Sequence, residues 1–142
     1  MQKKGIIHAM SESSNKKEIE KHGSVSAFIF NQHRDGLRVA LLKHKKLGKW
    51  VVPGGHIERW ENPVETIQRE VKEEKGLEIE ILSFVHKNSD MPVTDVRQVL
   101  PPEFIFEQII PARNEEPEHI HIDHVYVALT EQQALQPEDG ES

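Results

Sequence analysis

Residues 55–77 read GHIERWENPVETIQREVKEEKGL, and their punctuation marks out one helix. Asn62 is a preferred N-cap residue, Pro63 suits the first helical position, and Glu65 stands where a capping box needs its acid. Gly76 is the expected stop. At about 100° per residue, Val64, Ile67, Val71 and the stem of Lys75 share a narrow stripe that should face a core. Glu70, Glu73 and Glu74 crowd into an adjoining arc. Glu70 then faces both of the others, and like charges at that spacing destabilise a helix by roughly 0.2–0.5 kcal/mol per pair. Arg69, Lys72 and Glu65 fall on the other flank, where Glu65 and Arg69 are spaced to pair with each other. The arc therefore carries unrelieved repulsion. Two readings are open on the helix alone: a solvated acidic face, or a set of oxygen ligands for a hard divalent cation.

The rest of the chain bounds the answer. A length of 142 residues predicts one domain with a real core. With 36% hydrophobic and 30% charged residues the composition is that of an ordinary globular protein. No apolar run approaches the about 18 residues needed to span a bilayer. The N-terminal stretch has basic residues but too short an apolar patch for a secretory signal. Cysteine is absent, which excludes disulfides and thiolate ligands and fits a reducing, cytoplasmic setting. A net charge of −6 argues against general nucleic-acid binding through the phosphate backbone. The positive charge is nonetheless concentrated: Lys43, Lys45, Lys46 and Lys49 lie close together beside the glycine pair at 54 and 55.

Strand patterns flank the helix. SVSAFIF at 24–30 and LRVALLKH at 37–44 bracket a turn at NQHRDG, whose Asp35-Gly36 is a hairpin signal in a loop longer than two residues. A short strand, KWVV, is stopped by Pro53-Gly54-Gly55. After the helix come LEIEILSFVH, EFIFEQII and HIHIDHVYVAL, separated by polar loops. Many strands with one internal helix predict an α/β or α+β sandwich. Residues 1–22 read as a mobile arm or short helix, 23–130 as the domain and 131–142 as a polar tail. His119, His121 and Asp123 alternate along a strand and so share a face. They fit either a transition-metal site or a polar groove that touches substrate.

The helix gains its chemical context from upstream. Gly55, Glu61, Arg69, Glu70, Val71, Glu73, Glu74, Gly76 and Leu77 match, at all nine fixed positions, the box G-x5-E-x7-R-E-U-x-E-E-x-G-U, with U a bulky aliphatic. The chain thus resembles the Nudix hydrolase superfamily. The resemblance implies an α/β/α sandwich with a mixed sheet, and hydrolysis of a nucleoside diphosphate linked to another group. The cofactor implied is Mg²⁺, with Mn²⁺ as substitute. Carried over, Glu70, Glu73 and Glu74 are the metal carboxylates, Glu70 doubling as candidate general base, and the Gly54 carbonyl is a backbone ligand. Arg69 and Glu61 tie the loop to the helix, Gly55 and Gly76 complete the box, and Arg69 is counted with the catalytic set. Lys49, Trp60 and His121 are candidate substrate contacts. Glu131, with Glu115, Glu116 or Glu118 behind it, is a candidate downstream acid.

The expected substrate is a small nucleotide, a nucleoside diphosphate sugar or a nucleoside triphosphate; Pro92, fifteen residues after Leu77, fits the sugar-type relatives. The family's closing strand and amphipathic helix have no counterpart before Ser142, so one outer helix is expected to be missing. A further chain, for instance the second copy in a homodimer, is one way to cover that face. A catalytically silent nucleotide-binding module on the same fold is the alternative function. An isomerase of the same fold would need a cysteine, and there is none.

Overall fold

The computed structural model describes residues 18–83 and 95–131. Its centre is a pair of long parallel strands, β1 (Lys21–His33) and β8 (His119–Leu129), in register from Lys21↔Ile120 to Phe30↔Leu129. Along the outer edge of β1 lie two short antiparallel strands, β5 (Gly54–His56) and β2 (Gly36–Val39). The outer edge of β8 is shared by β6 (Glu80–Leu82) and β7 (Phe104–Ile110), both antiparallel. A separate hairpin joins β3 (Leu42–Lys43) to β4 (Trp50–Val51). The sheet is therefore mixed, as expected.

One helix, α1 (Pro63–Lys75), stands among the described residues and packs against β5 and β1. Its N-terminus forms as its sequence dictates. The Asn62 Oδ1 accepts from the Val64 and Glu65 amides at 3.0 Å each, and Glu65 Oε2 accepts from the Asn62 amide at 2.9 Å. Gly76 closes the other end at φ 64°, a left-handed conformation that only glycine adopts at little cost, and its N–H donates to the Lys72 carbonyl. Ile67 and Val71 are fully buried and Lys75 nearly so, with Val64 packed at the margin. They meet Val25, Ala27 and Ile29 of β1 and Tyr126 and Ala128 of β8.

Period-two alternation then sorts the sheet into two faces. The odd residues of β1 and even residues of β8 face the helix. His22, Ser24 and Ser26 of β1, with His119, His121 and Asp123 of β8, face the other way. Tyr126 also anchors the segment before β7: its hydroxyl donates to the Leu100 carbonyl at 3.0 Å, and burial pushes the phenol up to about 12.

Three local expectations are corrected. First, β1 begins at Lys21 and runs on through Asn31, Gln32 and His33, so its hairpin to β2 turns on Arg34 and Asp35 alone. The strand is longer than its apolar run because Asn31 is held there: its Nδ2 donates to the Thr130 carbonyl at 2.8 Å. Lys21 and His22, assigned to an N-terminal arm by polarity, are part of this strand. Secondly, the short strand does stop before Pro53, as β4, but Gly54 and Gly55 then form a strand of their own, β5, paired with Ser26 and Val25. Thirdly, Arg69 does not pair with Glu65, whose carboxylate is taken by the cap. Pro92, most of the N-terminal arm and the tail after Glu131 lie outside the described residues.

Candidate functional site

The box residues converge where α1 crosses the glycine edge of the sheet. Arg69 is the hub. Its Nε donates to Glu61 Oε1 at 2.7 Å and one terminal nitrogen to Glu61 Oε2 at 3.0 Å, a two-pronged pair. The other terminal nitrogen donates to Glu70 Oε1 at 2.8 Å and to Glu73 Oε2 at 3.2 Å. Thr66, fully buried one turn along, adds a hydroxyl to Glu61 Oε2 at 2.9 Å. The acidic arc is thus relieved in part by a guanidinium reaching round from the adjoining flank. One positive charge serves three carboxylates, and Glu74 stands apart from it, accepting from the Gly54 amide at 3.3 Å.

The electrostatics follow the contacts. The Arg69 hydrogen bonds hold the Glu61 carboxyl down at about 2, and Arg69 in turn is held above its ordinary range by Glu61. Glu70 is shifted the opposite way. Burial of its carboxyl raises it, Arg69 only partly offsets that, and Glu73 adds like-charge repulsion. Its side chain is 17% exposed against 50% for Glu73, so Glu70 is the desolvated member of the arc.

Both glycines of β5 are demanded by close approach. A Cβ at Gly55 would lie 2.3 Å from the Glu70 carboxyl carbon, so the space of a side chain is filled by that carboxylate. A Cβ at Gly54 would lie 2.1 Å from the Val25 carbonyl oxygen of β1. The bare edge opens into a cleft of about 400 Å³ between the end of α1 and the polar face of the sheet. Glu74, Gly54, Gly55 and His56 line one wall, Ser24, Ser26, His121 and Asp123 the floor, and Leu42, His44 and Leu47 of the β3–β4 hairpin the rim. Asp123 is fixed by Ser24 Oγ at 2.9 Å and Ser26 Oγ at 2.6 Å.

Of the candidate substrate contacts, His121 is in this cleft. Lys49 lies on the hairpin that rims it, its carbonyl accepting from the His44 amide at 2.8 Å, but is not among the lining residues. Trp60 is 78% exposed in the turn before α1 and lines no part of the cleft. Glu131 lines a different cleft with Glu78 and Glu80, and Glu116 pairs through its backbone with Arg113 in the exposed β7–β8 loop, flanked by Glu115 and Glu118. Residues that the motif did not bring forward are Ser24, Ser26, His22 and His56. The signal for the first three was the polar half of β1, where His22, Ser24 and Ser26 alternate with apolar residues.

A family model described as NUDIX domain matches residues 20–142, and the chain belongs to that family. A hydrolase of the NUDIX family from Clostridium perfringens superposes with a TM-score of 0.69 at 32% identity, covering 85% of this chain and 76% of that one. The Ap4A hydrolase of Caenorhabditis elegans shares the fold, with a TM-score of 0.52 at 15% identity, over 81% of this chain and 73% of that one. In sequence, the 8-oxo-dGDP phosphatase NUDT18 of Danio rerio is 36% identical over 61 residues, which are 43% of this chain and 19% of the relative. The chain spans only that fifth of the zebrafish protein. No helix among the described residues is long and apolar enough to cross a membrane.

Proposed function

We propose that the protein is a divalent-metal-dependent pyrophosphohydrolase, acting in the cytoplasm on a nucleoside diphosphate linked to another moiety. The observation that carries this reading is the carboxylate set at the glycine edge. Glu70 fills the space a side chain at Gly55 would take, Glu73 shares its guanidinium, and Glu74 stands at the Gly54 amide, on the wall of an open cleft. All donors are hard oxygens, the chemistry Mg²⁺ and Mn²⁺ prefer, and a half-desolvated carboxylate beside another acid gains from a cation.

Glu73, Glu74 and Glu70, with the Gly54 carbonyl, would hold the ion. Once bound, Mg²⁺ supplies screening of the diphosphate and acidifies a water. The chain's own residues do the rest. Arg69 and Glu61 fix the carboxylates against the bare edge, so that they need no rearrangement when substrate arrives. Glu70 either completes the ligand set or takes the proton of the attacking water. The water oxygen bonds to one phosphorus while the bridging P–O bond breaks, and the two halves leave as phosphate monoesters, or, from a triphosphate, as a shortened nucleotide with pyrophosphate or phosphate. His121 in the cleft floor, Lys49 on its rim and Trp60 beside the helix start are the proposed substrate contacts.

A nucleoside diphosphate sugar or a nucleoside triphosphate is the favoured substrate class, and the zebrafish relative's 8-oxo-dGDP puts simple nucleoside diphosphates beside them. The test is a panel of these compounds incubated with the purified chain and Mg²⁺, assayed for released phosphate or nucleoside monophosphate. Release from at least one class, abolished by chelation, supports the reading. Tight nucleotide binding with no turnover of any class would instead mark a silent binding module.

A further inference from the structure

Four histidines meet on the face of the sheet opposite α1, and the carboxylate chemistry uses none of them as metal ligands. The register brings them together. His22 of β1 is the cross-strand partner of His121 of β8, His119 precedes it by two on the same face, and His56 of β5 is paired with Ser24. One ring nitrogen from each of the four lies within 4.8 Å of every other. His56 Nε2 is 2.9 Å from His121 Nε2, and His119 Nε2 is 3.2 Å from the same atom. A tetrahedral zinc ion with Zn–N bonds of about 2.0–2.1 Å needs N···N edges of roughly 3.3–3.4 Å, which the two contacts at His121 Nε2 already approach.

Two ring nitrogens crowd the same atom, His121 Nε2. His119 Nδ1 lies 3.0 Å from the Pro117 carbonyl oxygen, which can only accept, so that nitrogen carries the proton. The Nε2 of neutral His119 is then a bare lone pair, aimed at His121. His121 Nε2 has one in-plane position, either a proton or a lone pair, and two neighbours at hydrogen-bond distance. It can satisfy one of them. His119 is buried, and the four rings crowd one another. Lone pairs converging on one point are what a soft or borderline cation takes. The Pro117 contact to His119 is the backbone support commonly seen behind a metal-bound histidine. Glu20 Oε1, 3.1 Å from His22 Nε2, puts a carboxylate beside the cluster to offset positive charge.

We propose that His22, His56, His119 and His121 form a transition-metal site, selective for Zn²⁺-like ions over Mg²⁺, that clamps β1, β5 and β8 together. It is separate from the carboxylate site in donor chemistry: imidazole nitrogens suit zinc, cobalt, nickel or copper, whereas the glutamates suit Mg²⁺. It is close to it in space, because His56 and His121 line the same cleft as Glu74. A bound ion would therefore also place positive charge at the cleft wall. The site stands whether or not the protein hydrolyses nucleotides.

The test is a Co²⁺ titration of the metal-stripped full chain, free of any histidine tag, followed by visible absorption. One equivalent should give the intense bands of tetrahedral cobalt, displaced by Zn²⁺ and unmoved by excess Mg²⁺. Glu74→Gln should leave them in place. His121→Ala should weaken cobalt binding at least about tenfold. Should loss of that half-buried ring unfold the sheet, the exposed His56→Gln serves as the second variant with the same expectation. Absence of the bands in the wild type, their survival in both histidine variants, or their displacement by Mg²⁺ would overturn the proposal.

Discussion

At Gly54 and Gly55, adjacent residues of one type answer to different constraints. Gly54 is pressed against backbone, since its missing Cβ would meet a carbonyl oxygen of β1, and backbone has nowhere to go. Gly55 is pressed against the end of a side chain, the Glu70 carboxylate. Gly54→Ala should therefore lower the melting temperature clearly, whereas Gly55→Ala should leave it within a few degrees and cost turnover by displacing Glu70. Thermal melts paired with rate measurements check this, and equal effects of the two changes on stability would contradict it. The role of Glu70 is separable in the same way. If it is the base, Glu70→Gln should lose turnover by roughly two orders of magnitude with Mg²⁺ affinity unchanged, whereas a ligand role should weaken Mg²⁺ binding as well.

For the helix, sequence and structure agree closely because its signals are local. Cap, proline, capping box, core stripe and terminal glycine all act within a turn or two of themselves, and each was legible. Removing the cap with Asn62→Ala should cost about 1 kcal/mol, read as a fall in denaturation midpoint. The box already tied Arg69 to Glu61; what the helical wheel missed was its further reach to Glu70 and Glu73. A wheel places side chains by their first bond, whereas a guanidinium on a long stem spans two flanks and collects Glu61, Glu70 and Glu73. That contact sets an acid limb. Glu61 is held below its unfolded value of 4.5, at about 2, so its pairing stabilises the fold above that unfolded value. The contribution is lost as pH falls through the window from 4.5 to about 2. Glu61→Gln should flatten the fall of melting temperature with acid across that window. Parallel acid curves for the two proteins would contradict the assignment.

In the whole molecule, the box was readable from spacing and the cleft was not. Gly54 and Gly55 carry no side-chain pattern, so the end of β4 before them was visible and their own pairing with β1 was not. The histidines come from β1, β5 and β8, strands far apart in sequence, and only the register unites them; His119 and His121 showed their shared face and His22 lay on the polar half of β1, while His56 gave no sign of joining them. The β3–β4 hairpin that rims the cleft is tied to the opposite loop by Arg113, whose terminal nitrogen donates to the Lys46 carbonyl at 3.4 Å. Such long-range ties have no local signature.

The central claim is that the glutamate arc binds the ion that drives hydrolysis, and Glu74→Gln tests it most directly. Turnover of the best substrate in Mg²⁺ should fall by about a hundredfold or more, with Mg²⁺ affinity reduced and the melting temperature close to that of the wild type. A variant that keeps near-wild-type turnover while folding normally would show that the metal site lies elsewhere.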